Sequence, residues 1–204
     1  IQERQCPIPK TGKCAHCQPC AIMNGWAGAG AFSDGKLSLS PDVGGQLADY
    51  VGYDKVQNMI DYADELYLGY GAPDKVHGLN SKGVDDISYS ASRHSILLIP
   101  CPVRHMGTET GFEVLKNIYV DLVESGKIEF RALTPVADIL VKDGQVTGAV
   151  LQNPDGSLEE VAAAKVIAAP GRGGAEWLTR QAHKLSLKTI NNAVDIGVRV
   201  ELPA

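Results

Sequence analysis

Residues 136–171 read VADILVKDGQVTGAVLQNPDGSLEEVAAAKVIAAPG, and no other stretch restricts the fold as much. Apolar runs are divided by Asp143-Gly144 and again by Asn153-Pro154-Asp155-Gly156. Asp-Gly between apolar runs favours a two-residue hairpin turn, because both turn positions take positive φ. The spacing predicts an antiparallel meander that ends in KVIAAPG, a short apolar strand entering a glycine turn.

Upstream, the pattern changes period. In DKVQNMIDYADELYLGYG, Val56, Met59, Ile60, Ala63, Leu66 and Tyr67 recur at spacings of three and four, which predicts a helix ended by Gly69 and Gly71. Ser40-Pro41-Asp42 is a plausible helix start. SILLIPCPV predicts a buried strand up to Pro100, where the ladder donor is lost. GFEVLKNIYVDLVESG predicts a helix whose apolar face is Phe112, Leu115, Ile118, Tyr119, Leu122 and Val123. KIEFRALTPV and VDIGVRVEL predict strands, and GGAEWLTRQAHKL a helix. A short helix is expected near Ala27–Phe32, and residues 72–94 carry no clear period.

Strand–helix–strand followed by a meander implies the α/β class, with a largely parallel sheet and an antiparallel addition that lends α+β character. Three regions are expected. Residues 1–40 form a Cys-rich and Gly-rich loop, 41–126 a helical segment, and 127–204 the strands and meander.

Composition excludes several functions. The net charge is −5 and no Lys/Arg-rich block occurs, which argues against nucleic acid as a partner. No apolar run approaches the roughly 20 residues that span a bilayer. G-x-S-x-G, H-E-x-x-H and P-loop motifs are absent, so hydrolase and NTPase chemistry has no local support. Five Cys, four of them within Cys6–Cys20, fit a reducing cytoplasm better than a secreted disulfide frame.

Four places could carry chemistry. Cys14, Cys17 and Cys20 form C-x2-C-x2-C, with Cys6 eight residues earlier and His16 inside the loop. Four thiolates could complete a zinc site or an iron–sulfur cluster, and free or redox-paired thiols are the alternative. In NGWAGAGAFSDGKLS, Gly25, Gly28, Gly30 and Gly35 permit close backbone approach, and Ser33, Asp34 and Lys36 add polar groups. That loop either meets a phosphate or flat cofactor or packs on its neighbours. In VIAAPGRGGAEW, a small-residue turn between strand and helix is where open α/β sheets bind ligands, and Arg172 could reach an anion. In PCPVRHMGTE, Arg104 could clamp an anionic substrate and His105 could act as acid or base.

These segments, with CPIPKTGKCAHCQPC, TPVADILVKDGQVTGAVL and VDIGVRVELP, occur in the order found in the uncharacterised FAD-dependent dehydrogenases. The chain resembles that family, a branch of the flavoproteins with a glutathione-reductase-like two-dinucleotide-binding fold. The resemblance covers nearly the whole sequence. It implies a partial Rossmann-like FAD-binding sheet with substrate-domain elements. It also implies that Gly28, Gly30, Ser33, Asp34, Gly35 and Lys36 lie along the pyrophosphate and the isoalloxazine. Val136 and Ala137 would approach the adenine through backbone groups. Pro170, Gly171 and Arg172 would form a second cofactor turn, and Arg104 and His105 would face the substrate.

The family's G-x-G-x-x-G is not in this sequence, and the opening IQERQCP resembles the point just after the family's second strand. The chain is therefore expected to be a piece of a longer flavoprotein. FAD binding and oxidoreductase activity are expected of the full-length protein, and the piece alone is expected to be inactive. The partners implied are a small-molecule substrate and a redox partner, neither named by the motifs.

Overall fold

The computed structural model describes residues 6–17, 20, 22–191 and 196–197. It divides into two compact units, Ile1–Ala132 and Leu133–Ala204.

The second unit is built on the meander. Strands β4 (Val136–Lys142), β5 (Gln145–Gln152) and β6 (Leu158–Ala162) pair antiparallel in that order. Lys142 faces Gln145, so Asp143 and Gly144 alone make the turn, at φ 52° and 76°. Those positive angles are why the turn wants Asp-Gly. The second connection is closed by the Asn153 N–H to the Ser157 carbonyl (2.9 Å), and Asp155 Oδ1 accepts from the Ser157 amide (2.9 Å). Helix α6 (Ala175–Lys184) follows a 3-10 turn, Arg172–Gly174. It lies along β4: the Trp177 indole N–H donates to the Ala137 carbonyl at 3.2 Å, and Lys184 pairs with Asp138.

In the first unit a short sheet runs β1 (Lys36–Ser38), β3 (Val103–His105), β2 (Val76–His77), again antiparallel. The same unit contains α1 (Ile8–Thr11), α2 (Leu47–Val51), α3 (Tyr53–Gly69), α4 (Ser81–Ser92) and α5 (Thr108–Glu124). The core is Ala72, Met106 and Val114, with Leu37, Tyr67, Tyr70 and Ile118 packed against it. Burying a side chain such as Val114 contributes roughly 1.5–3 kcal/mol.

The chain is thus mixed α/β, two antiparallel sheets with helices, which fits a partial Rossmann-like fold. Several expectations are corrected in detail. Every strand pair among the described residues is antiparallel. Residues 96–102 form no strand, because Pro100 and Pro102 cannot donate to a ladder and pairing begins only at Val103. Residues 127–135 and 165–169 join no ladder among the described residues. The VDIGVRVEL strand falls outside the described residues except for Ile196 and Gly197.

Ser40-Pro41-Asp42 is a side-chain-closed turn and not a helix start. The Ser40 hydroxyl donates to Asp42 Oδ2 (3.1 Å), and Gly44 and Gly45 at φ 107° and 143° postpone the helix to Leu47. Helix α4 lies in the unpatterned region and is capped by Asn80 Oδ1, which accepts from the Gly83 amide. On α5 the buried residues are Gly111 and Val114, and Tyr119 and Val123 of the expected apolar face are exposed.

Candidate functional site

In the first unit, the glycine loop folds as a 3-10 turn, Gly28–Phe32, entered by Ala27 in a left-handed conformation (φ 59°). Trp26 fastens it. Its indole N–H donates to the Leu115 carbonyl (3.1 Å), and its ring meets Tyr119 and Phe130 at centroid distances of 5.4 and 5.5 Å. Ser33 closes the turn by donating to the Gly30 carbonyl (3.0 Å) and accepting from the Gly35 amide (3.2 Å). Gly35 then passes against α5 and its entry, where an added Cβ would stand 2.8 Å from the Gly107 carbonyl oxygen. Trp26→Phe keeps the ring and removes the donor, so a loss of about 1 kcal/mol is expected in urea unfolding. An unchanged midpoint would mean that the indole hydrogen bond does not fasten the loop.

The result is a cavity of about 430 Å³ between the loop and α5. Gly30, Ser33, Gly35 and Lys36 line it, with walls from Trp26, Tyr67, Met106, Leu115 and Ile118. Four of the sequence-predicted residues therefore converge on one space. Gly28 and Asp34 belong to the same loop and are not among its lining. Asp34 pairs with Lys36 at 2.7 Å, both half exposed. Chiefly that hydrogen bond from Lys36 holds the Asp34 carboxyl below its ordinary value, and the charges of Lys36 and His105 add to it.

Arg104 and His105 part company across the short sheet, because successive residues of a strand point to opposite faces. Arg104 is 4% exposed and gripped by Asp64: Nε to Oδ1 and Nη2 to Oδ2, each 2.6 Å. Nη1 donates to the Pro73 carbonyl. The Asp64 hydrogen bond keeps the guanidinium charged, its pKa raised against the opposing effect of burial. On α3 the expected stripe is only partly buried: Val56 is buried, whereas Met59 and Leu66 are half exposed. His105 lies on the open face, opposite Lys36 in register, with the His77 ring 6.5 Å away. Asp64 and His77 were not legible as site residues, since each meets its partner across a long stretch of chain.

The second unit holds a cavity of about 620 Å³ lined by Val136, Ala137 and Pro170 of the predicted set. Gln152, Val166, Ile167, Trp177 and Arg180 complete it, and Gly171 and Arg172 follow Pro170 without being among its lining. Gly174 is required where it stands, since a Cβ there would meet the Pro170 Cβ at 2.4 Å. Gln181 is buried; its Nε2 donates weakly to the Ala137 carbonyl (3.5 Å), and its Oε1 has no hydrogen-bond partner. A buried acceptor of this kind is usually satisfied by a donor.

The Lys184 hydrogen bond holds the Asp138 carboxyl below its ordinary value, helped by the Ile139 amide and by Gln181. Ser157 does the same for Asp155. A carboxyl depressed in the folded state contributes stability that is complete above its unfolded pKa, about 3.9, and lost as pH falls through the folded value. The second unit is therefore expected to weaken below about pH 4. Asp138→Asn should flatten that acid limb in urea midpoints measured against pH. A variant with the wild-type slope would leave Asp138 without this role.

The cysteines do not assemble as a metal site. Cys14, Cys17 and Cys20 are exposed, Cys6 is half-buried, and all are free thiols. Among the described residues no three His, Cys, Asp or Glu side chains stand together as ligands. Between Cys6 and Cys14 the chain turns through α1 and a left-handed Gly12 cap, and it turns left-handed again at His16. The spacing is present but the convergence is not. No helix among the described residues is long and apolar enough to cross a membrane.

Each unit thus holds a space lined by glycine or small-residue turns, about 430 and 620 Å³, within the range of about 300–1,000 Å³ usual for small-molecule sites in a mixed α/β protein. The family model described as FAD binding domain matches residues 42–199, and the chain belongs to that family. Membership supports flavin-dependent oxidoreductase chemistry in general. No curated protein matches the chain.

Proposed function

We propose that this chain serves an FAD-dependent dehydrogenase of the glutathione-reductase-like kind, passing hydride or electrons between a small-molecule substrate and a redox partner. The observation that carries the reading is the gathering of the glycine-loop residues around an apolar-walled cavity in a chain of the FAD binding domain family.

The residues suit the cofactor. In the first unit, aromatic and aliphatic walls match a flat ring, and Gly30 has open space where a side chain would stand. Ser33 keeps the loop in shape, and Lys36 offers a cation to an anionic edge. In the second unit, the Val136–Ala137 backbone and the Pro170 turn bound a space with apolar walls suited to an adenine, with Arg180 as a nearby cation. When bound, FAD would supply two-electron transfer, and the protein supplies position and electrostatics. Arg104, locked to Asp64, acts as a positioning residue of the central strand. His105 shares the open face with Lys36 and His77, and in this reading it exchanges a proton with the substrate.

The test is the visible spectrum of the full-length protein, as purified and after addition of FAD. A flavin band is expected. The sequence has two Trp, and each lines one of the two cavities. FAD titration should therefore quench Trp177 in Trp26→Phe and Trp26 in Trp177→Phe, reading each cavity by itself. No band and no quenching in either variant would defeat the proposal.

A further inference from the structure

Helix α6 meets β4 where that strand leaves its ladder. Val136 pairs with Leu151 and Asp138 with Val150, and the register passes over Ala137 between them. One extra residue of this kind is a β-bulge, which bends the strand and re-aims the groups it carries. β4 is also the edge of its sheet among the described residues. The Ala137 carbonyl is taken up by α6. The Trp177 indole N–H donates to it at 3.2 Å, and Gln181 Nε2 donates at 3.5 Å. Trp177, Gln181 and Lys184 stand at i, i+4 and i+7, on one face of the helix, and Lys184 pairs with Asp138, the next residue of the strand.

Val136, Ala137 and Trp177 line the cavity of the second unit. Gln181 is not among the lining residues and meets the cavity only through Ala137. A peptide group is planar, so a fixed Ala137 carbonyl also fixes the direction of the Asp138 N–H. It thereby limits how the bulged backbone can turn toward the cavity.

Gln181 is the informative member of the pair. It is 7% exposed, and its Oε1 has no hydrogen-bond partner. A buried acceptor left unpaired opposes folding. A Met of similar length would fill the same place without that penalty. What the amide contributes is a donor for the Ala137 carbonyl.

We propose that Trp177 and Gln181 are positioning residues that hold the Ala137 bulge in the orientation in which its backbone meets an adenine ring. The inference rests on the reading that this cavity takes the adenine of FAD. With the carbonyl released, the bulge would have to be ordered at the moment of binding, and affinity would fall by that amount.

The experiment uses the full-length protein freed of flavin, with FAD and FMN as probes in equilibrium dialysis. FMN carries the isoalloxazine without the adenylate half. Gln181→Met should weaken FAD about threefold and leave FMN unchanged, the size expected for one weak hydrogen bond. Its urea midpoint should stand at or above that of wild type, because the unpaired acceptor is gone. Trp177→Phe keeps a ring on the cavity wall and removes the stronger donor, so it should weaken FAD about tenfold, again with FMN unchanged. Equal losses of FAD and FMN affinity in Gln181→Met, with a lowered urea midpoint, would make Gln181 a packing residue and overturn the proposal. Unchanged FAD affinity in Gln181→Met would also overturn it, while leaving the adenine reading intact. A wild-type protein that binds FAD no better than FMN would overturn the adenine reading, and the positioning role with it.

Discussion

Asp64→Ala should cost about 3–5 kcal/mol in urea unfolding of the first unit, because it leaves a buried guanidinium without its counter-charge. Arg104 is 4% exposed, and the side chain of Asp64 is 14% exposed, so water screens little of the pair. The pair is bidentate and joins the middle of α3 to the central strand β3. Removing both charges should be gentler. Asp64→Ala with Arg104→Met should recover a good part of the loss, since the unpaired buried charge disappears. The measurement is a double-mutant cycle on urea midpoints. If the double variant were as unstable as the sum of the two singles, the pair would contribute as two separate residues and not as one interaction. The same cycle bears on function. An Arg104 that met substrate would lose activity in Arg104→Lys with little change in stability. An Arg104 that positions β3 should lose stability first, because Lys cannot reproduce the fork.

How much of this was visible in the sequence depended on how local the cause was. The β4–β5 hairpin was legible because its determinants are adjacent: alternating apolar residues and a two-residue turn of positive φ at Asp143 and Gly144. The sheet of β1, β2 and β3 was not, because its strands are two or three residues long and show no period. Arg104 was visible as a charge beside a strand, but its partner is 40 residues away and reads in sequence as one more polar residue of a helix. The glycine loop was visible through its composition. What shapes it into a cavity was not, since Trp26 finds its acceptor 89 residues further on. The cysteine spacing illustrates the opposite limit: thiols can share metal-ligand spacing in sequence without standing together as a ligand group among the described residues.

Gly148→Ala is expected to be the most damaging small substitution in the second unit. Gly148 lies in β5, facing Leu140 on one side and Ala162 on the other. A Cβ built there would stand 2.1 Å from the Val161 carbonyl oxygen and 3.1 Å from the Ala162 Cα. Those are backbone atoms of the neighbouring strand, so no rotamer change can relieve the overlap. Either β5 and β6 separate, losing ladder hydrogen bonds, or the register shifts and turns the apolar side chains to the wrong face. A cost of about 3 kcal/mol or more follows, at the upper end of what overpacking a core usually produces. The fitting control is Gly144→Ala, four residues away. Its φ is 76°, but a Cβ there has nothing within 4 Å, so only backbone strain of about 1 kcal/mol opposes it. Urea unfolding of both variants separates crowding from strain. Equal losses would mean that β5 and β6 are not held as closely as this register requires. If instead Gly148→Ala alone collapses the unit, it should also abolish FAD quenching of Trp177. The cavity that Trp177 lines takes Val136, Ala137 and Gln152 from the sheet that β5 holds together.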